Sequence, residues 1–218
     1  MPVSVPLYPV NLLVSGKPCL VVGGGVVASA KVGGLIDCEA AVHVVAPVVR
    51  PALRALARDL TLPASLRWDE RPYTPPDLDG AYLVITATDD PAVNAKVFAD
   101  ATERGIWCNS ADDPTNCSFT LPSRVRQGDL LVTFSTGGRS PALAKWLRQT
   151  YAEEFGSEYA TLMDMLAEER EAIVAAGRTT EGLAWHEALS SGMLELIREG
   201  RLAEAKERLQ ACLSSSSV

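Results

Sequence analysis

The chain has no C-x-x-C pair and no even set of cysteines. Its five, Cys19, Cys38, Cys108, Cys117 and Cys212, are scattered through 218 residues. That usage argues against a disulfide framework or a zinc ribbon and points to a reducing cytoplasm. Cys19 and Cys108 lie in apolar runs and read as small buried hydrophobes. No run approaches the ~18 apolar residues that a membrane span needs. The opening "MPVSVPLYPVNLLVSGK" lacks a basic region ahead of an apolar core, so no secretory signal is expected. There is no internal repeat. An excess of positive charge is also missing: the net charge is −7, and nonspecific nucleic-acid binding needs a basic footprint.

What is present is an ordinary globular composition, 47% hydrophobic and 22% charged, with enough length for a substantial core. The charge is uneven. Residues 1–123 carry 9 basic and 13 acidic groups, and residues 151–218 carry 6 and 13. Between them, Arg124, Arg126, Arg139, Lys145 and Arg148 face one acid, Asp129. A local basic island of this size suits a small anionic ligand, although a solvated face would look the same.

The first 110 residues alternate short apolar runs with helical stretches. "KPCLVVGG", "AAVHVVAP", "LRWDERP", "AYLVITAT" and "IWCNS" read as strands; "VVASAKVGGLIDC", "RPALRALARDL" and "PAVNAKVFADATERG" read as helices. Strands that are apolar throughout and separated by helices indicate a parallel sheet covered on both faces. The expected class is therefore α/β, a Rossmann-type doubly wound sheet. "CSFTLPSRVRQGDLLVTFSTGG" then gives two short strands around a polar turn, and from "SPALAKWLRQTYAEEF" onward the pattern is helical. Gly177, Gly192 and Gly200 are expected as helix C-caps. The expected divisions are 1–112 for the nucleotide-binding domain, 113–150 for a small mixed β/α segment and 151–218 for a helical C-terminal domain.

"LVVGGGVVASAK" sets Gly23, Gly25 and Ala28 in a G-x-G-x-x-A arrangement between a strand and a helix. Gly23 permits the tight turn, Gly25 lets backbone approach a pyrophosphate, and a small residue at 28 lets the helix pack on the strand. The helix amides then face the anion. The fingerprint lacks its acid some 20 residues on, since the second strand ends "HVVAPVVR". The adenosine end is left to backbone near Pro47 and Val48, and Arg50 nearby keeps a 2′-phosphate, hence NADP, open. His43 reads as a packed core histidine. "TATDD" follows the fourth strand, so Thr86, Thr88 and Asp89 line the crevice while Asp90 caps the helix opened by Pro91.

"NSADDPTNCSFTLPS" follows the fifth strand at the same edge. Asn109, Asp112 and Asp113 emerge there, where a reaction coupling hydride removal to proton loss places its proton acceptor. A carboxylate there also suits a divalent metal. Asp112 is assigned the chemistry and Asp113 the turn before Pro114. Downstream, "FSTGGRSPALAKWLR" offers a Gly137-Gly138 turn, Ser140 as N-cap and Pro141 at the first helical position, with Arg139 beside them.

Taken together, "LVVGGGVVA", "VHVVAP", "VITATDDPAVN", "CNSADDPTNCSFTLPS" and "VTFSTGGRSPALAKWLR" resemble the precorrin-2 dehydrogenase/sirohydrochlorin ferrochelatase family, over roughly residues 5–150. The resemblance implies NAD-dependent oxidation of precorrin-2 to sirohydrochlorin in siroheme biosynthesis, in some members followed by insertion of Fe²⁺. It implies a homodimer built through residues 113–150, an active site in the cleft between domains, and a polycarboxylate tetrapyrrole as the anion for the basic island. Asp112 falls on the family's essential aspartate, and would be the metal contact if chelation occurs. Gly23, Gly25, Val26, Val27, Pro47, Val48, Thr88 and Asp89 form the expected cofactor set, and "VVAP" strand ends are normal in the family. Asn109, Ser118, Thr136, Gly137, Gly138 and Arg139 form the expected substrate set. Thr136 stands where some members have a phosphorylatable serine, and Gly33-Gly34 where longer apolar residues are usual. The chain ends short of the methyltransferase half of the fused enzyme, and His186 reads as helix surface. A dehydrogenase is the leading reading, the bifunctional dehydrogenase–chelatase the alternative, and an NAD-sensing regulatory module the remote one.

Overall fold

The computed structural model describes residues 5–59, 65–111 and 113–215. Asp112 lies outside the described residues. The chain divides into two compact units: residues 1–121 with 137–140, and residues 122–136 with 141–218. Residues 137–140 thus group with the first unit and Thr136 with the second.

The first unit holds a five-stranded parallel sheet: β1 (Pro18–Val22), β2 (Ala41–Val45), β3 (Leu66–Asp69), β4 (Leu83–Thr86) and β5 (Trp107–Ser110), in the order β3-β2-β1-β4-β5. Alternate side chains enter two different cores. Cys19 and Val21, Val42 and Val44, and Leu83 and Ile85 pack with Ala28, Val32 and Leu35 of helix α1 (Val26–Ile36) and Leu53 of α2 (Pro51–Leu56). Leu20, Val22, Val45, Val84 and Cys108 pack with Val97 and Ala101 of α3 (Pro91–Glu103). Burial on both faces is why these strands are apolar without alternation, as expected for a doubly wound sheet.

Local differences have physical reasons. Helix α2 stops at Leu56, well short of the helical stretch expected to 60. Helix α1 runs through Gly33, where a Cβ would meet nothing within 4 Å; its buried stripe outweighs the roughly 1 kcal/mol a helical glycine costs. His43 is not a plain core residue. Its Nδ1 accepts from Arg67 Nη2 at 2.9 Å and its Nε2 meets Asp69 Oδ2 at 3.1 Å, while Arg71 bridges Asp69 and Asp77. Burial pushes the imidazole below its ordinary range, and Arg67 adds to this against the pull of Asp69.

In the second unit, β6 (Ser123–Gln127) and β7 (Leu130–Phe134) form an antiparallel hairpin, turning at Gly128 with φ +55°. Helices α4 (Pro141–Glu154), α5 (Glu158–Ala175), α6 (Trp185–Leu189), α7 (Met193–Arg198) and α8 (Leu202–Ser215) follow. Their core is Leu162, Ile173, Ala188, Met193, Leu196, Ile197, Ala205, Leu209 and Leu213. Phe134, Tyr151 and Phe155 stack in a row and Tyr159 meets Phe155 edge-on, joining β7, α4 and α5. Gly177 and Gly200 close α5 and α7 at φ +73° and +75°, as expected. Gly192 instead occupies the N-cap of α7, a six-residue helix that periodicity could not resolve.

Candidate functional site

The carboxyl ends of β1, β2 and β4 meet at the switch in strand order, the place where open α/β sheets bind ligands. A cleft of about 580 Å³ opens there, lined by Gly23, Gly24, Gly25, residues Ala46 to Pro51, and Ala87, Thr88 and Asp89. Its floor depends on missing side chains. A Cβ on Gly23, at φ +123°, would lie 2.3 Å from the Ala87 carbonyl oxygen. A Cβ on Gly24 would lie 2.0 Å from the Val48 carbonyl oxygen. Gly25 meets nothing within 4 Å, so its vacancy faces whatever enters the cleft. Sequence spacing gave roles to Gly23 and Gly25 and none to Gly24, whose contact with Val48 joins residues 24 positions apart.

Helix α1 starts directly after Gly25, with no side-chain cap and no acid in its first turn. Its first amides are therefore available to an anion. Ala28 is fully buried behind the turn, as the fingerprint requires. Val26, Val27 and Val48 are 64%, 41% and 72% exposed, giving the rim an apolar surface. A bare turn, free amides and an apolar rim together fit a dinucleotide.

The β4 side is fixed by a residue that spacing did not flag. Buried Asn94 on α3 accepts from the Thr88 hydroxyl at 2.8 Å and donates to the Thr88 carbonyl at 3.0 Å; the Thr86 hydroxyl donates to the same amide oxygen. Asp90 caps α3 through the Ala92 and Val93 amides, as expected. Asp89 is left on the cleft wall. An asparagine one turn after "DDP" was the available signal.

The acidic turn is organised differently. Asp113 accepts from the Thr115 hydroxyl at 2.6 Å and the Thr115 amide at 2.9 Å, and those bonds hold its carboxyl below the usual range. This is the turn-making role expected of it. Asn109 is buried and donates to the Phe119 carbonyl at 2.9 Å. The Ser118 hydroxyl accepts from the Cys108 amide at 2.7 Å. Both residues expected at the substrate thus clasp the returning chain to β5. Cys117 bridges Ser110 and Asp113 through its thiol, which burial pushes up in pKa. Ser110, two residues before Asp112, has a buried hydroxyl with no partner among the described residues.

Of the other expected residues, Gly137 and Gly138 adopt left-handed φ of +58° and +74° and group with Arg139 in the first unit. Arg124 and Arg126 project from alternate positions of β6, exposed on either side of buried Val125. Lys145, Arg148 and His186 are exposed. Among the described residues no cluster of three or more His, Cys, Asp or Glu suits a metal, and no helix is long and apolar enough to cross a membrane.

A family model described as NAD(P)-binding matches residues 10–123. Fold, cleft and match define an NAD(P)-binding protein with a Rossmann-type sheet. Siroheme synthase of Methylobacillus flagellatus is 36% identical over 209 residues, covering 94% of this chain and 44% of the relative. Siroheme synthase 1 of Yersinia enterocolitica is 35% identical, covering 92% and 42%. The chain thus spans less than half the length of these relatives. The solved structure of SirC, precorrin-2 dehydrogenase, superposes with a TM-score of 0.72 at 27% identity, covering 94% of this chain and 98% of that one. The chain belongs to this NAD(P)-binding family and is similar over nearly its whole length to SirC and to the siroheme synthases.

Proposed function

We propose that the protein oxidises precorrin-2 to sirohydrochlorin with NAD as the acceptor, in siroheme biosynthesis. The observation that carries this reading is the full-length match to SirC together with a cleft floored by three glycines at the switch point. When bound, the nicotinamide supplies the hydride acceptor. Gly23, Gly25, Val26, Val27, Pro47, Val48, Thr88 and Asp89 hold the dinucleotide: the turn and α1 amides take the pyrophosphate, and the Asn94-braced Thr88 loop supports the nicotinamide half. Asp112, in the acidic turn after β5, takes the proton that leaves as the hydride departs. Thr136, Gly137, Gly138 and Arg139 receive substrate carboxylates, while Asn109 and Ser118 shape the wall. The basic island around residues 124–150 favours so anionic a macrocycle.

Residues 113–150 are proposed as a dimerisation segment. Helix α4 buries none of its side chains and leaves Leu143 46% and Trp146 58% exposed, an apolar surface that a second copy would cover. Light scattering on the purified chain would report a dimer mass. A cytoplasmic location is proposed on the odd, scattered set of five cysteines with no C-x-x-C pair. Chelation, with Fe²⁺ as a substrate met by Asp112, is proposed as a second activity because the matching relatives carry the name siroheme synthase.

The test is an anaerobic absorbance trace of precorrin-2 with NAD⁺, with and without protein. Protein- and NAD⁺-dependent growth of the sirohydrochlorin spectrum is the expected result; equal traces would overturn the proposal. Fe²⁺ added afterwards then tests chelation by its acceleration over a protein-free control.

A further inference from the structure

The dinucleotide cleft is asymmetric in charge. Strand order places the β2 loop on one side of β1 and the β4 loop on the other, so their tips are separated by two strand spacings, roughly 10 Å. In a sheet of this topology the adenosine ribose lies over the end of β2. Its usual partner there is an Asp or Glu, which accepts from the 2′-hydroxyl and repels a 2′-phosphate. Here the β2 side of the cleft is Ala46, Pro47, Val48, Val49, Arg50 and Pro51, with no carboxylate among the described residues. The acid that lines the wall, Asp89, belongs to the β4 side.

Among the described residues, Arg50 is therefore the one ionic group on the adenosine side of the lining. Its backbone is fixed: the Arg50 N–H donates to the Gly24 carbonyl at 3.0 Å and its carbonyl accepts from Arg54 at 3.0 Å. Its residue is exposed, and among the described residues its side chain makes no ion pair or hydrogen bond. Arg54, one turn on, is stacked over Trp68 at 5.0 Å. Trp68 in turn donates to the Ala46 carbonyl at 2.9 Å, which fixes the strand end leading to Arg50.

We infer that the cleft does not select against a 2′-phosphate and that Arg50 binds it, so that NADP is accepted as well as NAD. The inference rests on the reading of the cleft as a dinucleotide site and deepens it. A guanidinium meets a phosphate dianion through two parallel N–H donors, and no desolvated carboxylate opposes it. Adding the 2′-phosphate is thus favourable where the usual acid would make it costly.

Calorimetric titration of the full chain with NAD⁺ and with NADP⁺, repeated for Arg50→Gln and Arg50→Glu, tests this. Wild-type protein is expected to bind NADP⁺ at least as tightly as NAD⁺. Arg50→Gln should raise the ratio Kd(NADP⁺)/Kd(NAD⁺) by about tenfold, as expected for losing one charge-assisted contact, and Arg50→Glu should raise it further. The NADP⁺ affinity should also fall more steeply with salt than the NAD⁺ affinity. Binding of NAD⁺ with NADP⁺ far weaker in the wild type would overturn the inference and leave the cleft reading standing. An unchanged ratio in Arg50→Gln would overturn the role of Arg50. Failure of both dinucleotides to bind would overturn the cleft reading and the inference with it.

Discussion

Two turns at the same edge of one sheet work by opposite means. After β1, the chain removes side chains: Gly23 and Gly24 let backbone touch backbone, and Gly25 and the α1 amides stay bare for a ligand. After β5, the chain adds polar side chains and satisfies them internally, through Asp113 with Thr115, Asn109 with Phe119 and Ser118 with Cys108. The first turn leaves its donors open. The second is a brace that clasps the returning chain to β5. A polar residue near a site is therefore not evidence that it touches ligand; its existing bonds decide.

The contrast breaks most sharply at Gly24. Gly24→Ala would drive a Cβ to 2.0 Å from the Val48 oxygen, and both neighbours are backbone, so relief requires moving β2 from the turn. A loss of about 3 kcal/mol or more is expected, read as a large fall in Tm with dinucleotide binding abolished. Gly25→Ala separates the two functions of the turn. Its Cβ meets nothing and its φ of −79° suits any residue. Stability should change by less than about 0.5 kcal/mol, while NAD⁺ affinity in a calorimetric titration falls about tenfold or more as the pyrophosphate approach closes. If the two variants behaved alike, the division of labour would be wrong.

The brace is tested by Ser118→Ala, which strips the hydroxyl from the buried Cys108 amide. A cost of about 1–3 kcal/mol is expected in thermal unfolding, with NAD⁺ affinity unchanged because the cleft lies across β4. A milder effect concerns pH. Burial holds the folded His43 below the ordinary histidine value of about 6.5, so the unfolded chain takes up that proton first. His43 therefore contributes stability that is complete above about pH 6.5 and is lost as pH falls from there through the lower folded value. Asp69 and Asp77, both held below the usual carboxylate range, lose theirs only at more acid pH. The fall in Tm between pH 7.5 and 5.5 should be visibly flattened in His43→Gln.

Much of this was legible in the sequence, and the reasons differ by element. Apolar strands without alternation gave the covered parallel sheet. Asp90 followed by Pro91 gave the α3 cap, and Asp113 followed by Pro114 gave the brace turn, because capping is local chemistry. What stayed hidden was nonlocal. The pairing of Gly24 with Val48, the Asn94 lock on Thr88 and the network of His43 with Arg67 and Asp69 each join residues whose proximity only the β1-β2-β3 and β4-α3 packing creates. Gly192 was expected to end a helix and instead begins α7 for another reason: the six residues Met193–Arg198 are too few for a 3.6-residue period to declare itself.

Proton removal is proposed for Asp112 and cofactor binding for the glycine turn, so the most direct test is one variant measured in both ways. Asp112→Asn keeps size and loses the base. The predicted result is an NAD⁺ affinity within about twofold of wild type, and an anaerobic single-turnover rate for precorrin-2 oxidation lower by about 100-fold or more. An undiminished rate at saturating NAD⁺ would show that Asp112 is one more member of the brace, and that the proton leaves by another route.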